Sequence, residues 1–198
     1  MTTTATLQDR RAALARDAIL EALVKHLEAG DIDTVGMEEL AREAGVSRRT
    51  LYRYFPTRGD LIAAAGDFVR GAVFKIDPAI GQGGIAESFR AGTTRMRTRP
   101  KLAHALMATE SGRAVRGSFR PARAQAIRNE VRAKAPALPR REAERAAAVL
   151  TYLCSLQAWV SLQEESGLTP ERAEEAVLWA IDVIQNEIQR ESRRKEKK

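Results

Sequence analysis

A chain of 198 residues with 44% apolar content can bury a real core, so a disordered polymer is excluded. No apolar run is long enough for a signal peptide or a membrane span, which sets the expectation of a cytoplasmic protein without a membrane partner. The formal charge of +7 points to an anionic partner.

Apolar residues recur at three- and four-residue steps along nearly the whole chain, and β-branched alternation is almost absent, so the expected fold class is all-α. A first helix is expected from about Asp9 to Ala29, with Ala15, Ile19, Leu23 and Leu27 on one face and Gly30 as its stop. His26 lies at the edge of that face and reads as structural. A second, short helix opens near Gly36, with Glu38 and Glu39 in its first turn where acids suit the helix dipole, and closes at Ala44-Gly45. A third runs from Ser47, a good cap, to Phe55, where Pro56 ends it. Thr57 caps a fourth, with Asp60 three residues on as the return partner, and this helix is expected to reach about Phe74. The glycine-bearing stretch KIDPAIGQGGI reads as a linker. As a phosphate loop it lacks the GxxxxGK[ST] spacing. Further helices are expected at about 85–97, 100–115, 120–134, 140–165 and 169–193, with prolines 100, 121, 136, 139 and 170 at their starts or breaks.

The stretch GVSRRTLYRYFPTRG, Gly45 to Gly59, holds four arginines and three aromatic rings and no carboxylate. On a helix at about 100° per residue, Leu51 and Phe55 face one side while Arg48, Arg49, Tyr52 and Arg53 cover the other. The preceding MEELAREA offers Leu40, Ala41 and Ala44 to the same core, and GVS forms a three-residue turn. This is the pattern of a helix-turn-helix whose second helix fits the DNA major groove, with acids absent from a face that phosphates would surround.

The segment EELAREAGVSRRTLYRYFPTRGDLIAA also resembles the DNA-binding signature of the tetracycline-repressor (TetR) family, in which a pattern like AxxxGVSxxTLYxHFxxKxxL follows a first helix of this length. Tyr54 stands where the family often has His, Arg58 where it often has Lys, and Gly36 where it often has Thr. The resemblance implies base-edge contacts from Arg48, Arg49, Tyr52 and Arg53, and phosphate contacts from Ser47, Thr50, Tyr54 and Arg58. At Gly36 only a backbone N–H is left to make such a contact. It also implies a homodimer on an inverted-repeat DNA operator, released by a small-molecule effector held in a C-terminal helical domain. The expected organisation is a helix-turn-helix domain at 9–59, an effector-binding and dimerisation domain at 60–190, and a disordered basic tail at 191–198.

Within the C-terminal part, Phe89, Met96, Leu106, Met107, Phe119, Tyr152 and Trp159 are the large adaptable side chains expected to line an effector pocket. Val177, Ile181, Ile184 and Ile188 form a stripe at spacings of four, three and four, and Leu150, Leu153 and Val160 offer a second. These seven are the expected dimer interface, with burial inside one chain as the competing reading. Fourteen Lys or Arg against Glu110 and Glu130 between Arg90 and Arg141 suit an anionic effector or a solvated surface.

An enzyme is not expected. The two histidines, His26 and His104, are far apart, HExxH, GxSxG and CxxC are absent, and neither a cofactor nor a metal is implied. His104 reads as a core or pocket-wall residue. The single cysteine, Cys154 in LTYLCSLQAWV, cannot form an internal disulfide and reads as a buried inert thiol. An architectural DNA-binding protein without an effector remains the alternative function.

Overall fold

The structure, a computed structural model, describes residues 6–73 and 84–197. Among these it forms eleven α-helices and no strand: α1 (Leu7–Ala29), α2 (Met37–Glu43), α3 (Arg48–Tyr54), α4 (Arg58–Phe68), α5 (Gly84–Arg97), α6 (Pro100–Ala108), α7 (Glu110–Ser118), α8 (Arg120–Lys134), α9 (Arg140–Leu153), α10 (Leu156–Ser166) and α11 (Pro170–Glu196). The all-α expectation holds. Most of the expected linker, 75–83, and the expected end of the fourth helix at Phe74 lie outside the described residues.

Helix starts follow local chemistry. Ser47 Oγ accepts from the Thr50 amide, and Thr57 and Asp60 exchange hydrogen bonds in a complete capping box, so two orphan donors are satisfied at α4. Thr6 and Asp9 form the same box and start α1 earlier than the periodicity predicts. Two expected long helices are interrupted. Thr109 accepts from the Gly112 amide and Ser155 from the Ala158 amide, so each hydroxyl opens a new helix without breaking the apolar spacing. The end of the fourth helix, Val69–Val73, widens into a π-turn.

The described chain divides into two compact units, and the first comprises Met1–Val73 and Pro100–Phe119. Its core gathers Leu20, Leu23 and Leu27 of α1, Leu40, Leu51, Leu61 and, from α6, Leu102 and Leu106, each at most 1% exposed. The boundary expected at 59–60 therefore moves, because α4, α6 and α7 pack with the N-terminal helices. Gly66 shows how closely α4 meets α7: a Cβ there would lie 1.7 Å from Ser118 Oγ. Asp33 adds a polar tie, accepting from the amides of Glu110 and Ser111 at 3.1 and 3.0 Å; hydrogen bonding from the Ser111 side chain first, and then from these amides, holds its carboxyl below the usual range. His104 is exposed rather than core, on the wall of a shallow depression of about 500 Å³.

The second unit comprises Phe74–Arg99 and Arg120–Lys198, and its described part is built from α5 and α8 to α11. Phe89, Met96, Ile127, Val131 and Trp159 form its core. Buried polar groups are tied down: Glu174 accepts from Thr93 Oγ1 and from Arg97 Nη1 at 3.1 Å, and Glu130 accepts from the Ile85 amide at 2.9 Å and from Lys134 at 2.8 Å. Burial pushes the Cys154 thiol up to about 12, consistent with an inert side chain.

The dimer stripe is corrected here. Leu150, Val177, Ile181 and Ile188 are at most 6% exposed, buried against the unit's own helices, while Leu153, Val160 and Ile184 are half-buried. A helical stripe marks a covered face but not what covers it. The apolar side chains left open on α9 and α11 are instead Val149, Tyr152, Trp179 and Val183, at 46, 57, 70 and 47% exposure. Tyr152 therefore lies on the surface and not in a pocket wall. The expected disordered tail is helical as far as Glu196, because the Ala137 amide donates to the buried Ser192 Oγ at 3.1 Å and pins the last turns of α11.

Candidate nucleic-acid interface

The sharp turn between α2 and α3 requires a left-handed residue, and Gly45 supplies it at φ 65° without a Cβ penalty. The Val46 amide then donates back to the Ala41 carbonyl at 3.0 Å, closing the angle. Beneath it Leu40, Ala41, Leu51 and Phe55 are buried, so α3 has one fixed roll about its axis. That roll leaves Arg48, Arg49, Tyr52 and Arg53 exposed together, with Thr50 and Tyr54 half-buried on the flanks. Ser47 spends its hydroxyl on the cap, and Gly36 caps α2 with its backbone alone.

The cationic face is partly ordered by its own rings. Arg53 lies 4.9 Å from the centre of the Tyr54 ring and donates to its hydroxyl at 3.2 Å. Arg48 lies 5.7 Å from the Tyr52 ring and also pairs with Glu38 of α2 at 2.7 Å. Arg16 of α1 lies over Phe55 at 5.6 Å. Among the described residues, Arg49 alone of the three α3 arginines has no such partner.

Arg58 departs from its expected role. Its guanidinium is part-buried and donates to the carbonyls of Ile32 and Val35, stitching α4 to the loop after α1. Those donors are committed inside the domain, so a phosphate contact is not carried forward for this residue. His26 is likewise internal, its Nδ1 2.9 Å from Asp31 and its Nε2 3.0 Å from Glu43. The two carboxylates together outweigh the opposing effect of burial and raise its pKa.

The seven pocket candidates divide between the two units. Leu106, Met107 and Phe119 belong to the first unit, and Phe89, Met96, Tyr152 and Trp159 to the second. Leu106 is fully buried in its core, Met107 accepts a contact from Arg116 at 3.0 Å, and the Trp159 indole donates to the Pro170 carbonyl at 2.9 Å. Reading the sequence missed Glu38 as a member of the cationic face. It lies ten residues before Arg48 on another helix, and no periodicity links the two.

A short helix, a glycine turn and a second helix that offers arginine and tyrosine outward from a leucine-lined base define a helix-turn-helix protein. Residues 19–65 match the family described as bacterial regulatory proteins, tetR family. Two uncharacterized HTH-type transcriptional regulators of Mycobacterium tuberculosis, from strains CDC 1551 and H37Rv, are 47% identical over 58 residues, a stretch covering 29% of this chain and 29% of each relative. The overall fold is similar to that of a TetR-family transcriptional regulator from Rhodococcus sp., with a TM-score of 0.59 at 20% identity over 87% of this chain and 99% of the other. It is also similar to a tetR-family regulator from Streptomyces coelicolor, with a TM-score of 0.55 at 16% identity over 91 and 92% of the two chains. The family match lies on the helix-turn-helix segment, and the chain covers 29% of the length of the curated relatives it matches.

Proposed function

We propose that the protein is a sequence-specific, DNA-binding regulator of transcription. The observation that carries this reading is the exposed face of α3, where Arg48, Arg49, Tyr52 and Arg53 stand clear of a core that fixes their direction. An α-helix fits the major groove, and arginine can donate twice to guanine O6 and N7. Ser47, Thr50, Tyr54 and the backbone at Gly36 would set register on the phosphates in this reading.

The finer reading is a repressor that binds an inverted repeat as a homodimer and is released by a small molecule. The exposed apolar side chains Val149 and Tyr152 of α9 and Trp179 and Val183 of α11 support self-association, since a second copy could cover them. Phe89, Met96 and Trp159, large adaptable side chains inside the second unit, support an effector site for a largely apolar molecule among α5 and α8 to α11. Such an effector weakens DNA binding only through preference for a conformation whose two α3 helices no longer fit successive grooves.

Selection of duplexes from a randomised pool tests the proposal. A regulator of this kind enriches one inverted repeat and retains it against excess random DNA. Recovery without enrichment would favour the architectural alternative.

A further inference from the structure

Sequence alone suggests a reading face free of acids, yet the fold brings one to it. Glu38 sits in the first turn of α2, and its Oε1 lies 2.7 Å from Arg48 Nη1. Both side chains are about two-thirds exposed, 67 and 68%, so the pair occupies the surface that would meet DNA. The neighbouring acid behaves differently: Glu39 pairs with Arg42 of its own helix at 3.2 Å. Arg48 is therefore held between a carboxylate on one side and the Tyr52 ring on the other, while Arg49 beside it is unconstrained.

We infer that Glu38 is a specificity-determining residue that makes readout by Arg48 conditional on the right base. The inference rests on the DNA-reading function proposed above. Against a base pair offering two acceptors, Arg48 exchanges its carboxylate partner for two hydrogen bonds and loses little. Against any other pair it stays with Glu38, and the ion pair withholds a guanidinium that would otherwise bind phosphate on any sequence. Glu38 therefore weakens binding to wrong sequences more than to the right one, which is discrimination by suppressing a nonspecific contact.

The test compares wild type, Glu38→Gln and Glu39→Gln on two probes, the duplex enriched from the randomised pool and a scrambled duplex of the same length. The substitutions remove the same charge from the same helical turn. Glu38→Gln is expected to tighten binding to the scrambled duplex and to lower the ratio of the two affinities by about two- to five-fold, the scale of an exposed ion pair. The difference should shrink as salt is raised. Glu39→Gln should leave the ratio within error of wild type. An unchanged ratio in Glu38→Gln, or an equal loss in Glu39→Gln, would overturn the inference while leaving DNA reading intact. A wild-type protein that enriches no sequence would overturn both.

Discussion

The guanidinium of Arg58 donates to the carbonyl of Val35 at 2.7 Å, across 23 residues, and reaches Ile32 of the same loop as well. An arginine at the start of α4 thus satisfies two carbonyls of the loop between α1 and α2, which no backbone amide of a helix reaches. Arg58→Met should lower the unfolding free energy in urea by roughly 2 kcal/mol, the scale of a charged donor lost from buried acceptors. Arg58→Lys should recover only part, because an ammonium lacks the fork that meets two carbonyls at once. The salt dependence of DNA binding should stay that of the wild type, and a slope reduced by about one would restore the phosphate contact.

On the reading face, Arg49→Ala is expected to cost about 1–3 kcal/mol on the enriched duplex and to relax preference at one position in each half-site. Binding titrations on the duplex and its single-base variants measure both effects. A uniform loss across all variants would assign Arg49 to phosphate.

For self-association, the open and the buried stripes of α11 make opposite predictions. Trp179→Glu changes a side chain that is 70% exposed, so the variant should remain folded and sediment as a monomer. Ile181→Glu places a charge at a fully buried position and should prevent folding altogether. A Trp179→Glu protein that sediments as a dimer would remove this patch from the interface.

His26 gives the N-terminal unit a pH dependence. Both of its ring nitrogens face carboxylate oxygens, Asp31 and Glu43, so the geometry is complete only when both nitrogens carry protons. Burial opposes the charge, but the two carboxylates raise the folded pKa above 6.5. The charged form is therefore favoured on folding. This contribution is fully present below pH 6.5 and is lost as pH rises through the raised folded value. Unfolding of wild type and His26→Gln across pH 5.5 to 9 should show the two curves converging toward high pH. Parallel curves would mean that His26 contributes by packing alone.

Local chemistry made much of the helix-turn-helix readable from the sequence. Leu51 and Phe55 fall opposite Arg48, Arg49, Tyr52 and Arg53 by helical geometry alone, Ser47 and Thr57 cap by short-range hydrogen bonds, and Gly45 turns because it lacks a Cβ. All of these act within a few residues. What spans long separations was decided only by the tertiary structure. Arg58 could bond phosphate or carbonyl with the same donors, and only the position of the loop at Ile32 to Val35 chose the carbonyls. Val177, Ile181 and Ile188 had to be covered, but the chain's own helices, rather than a second copy, proved to cover them, leaving Trp179 and Val183 open on the other side of α11. Glu38 joined the reading face for the same reason: a helical period determines which way a side chain points, and only packing determines what it meets.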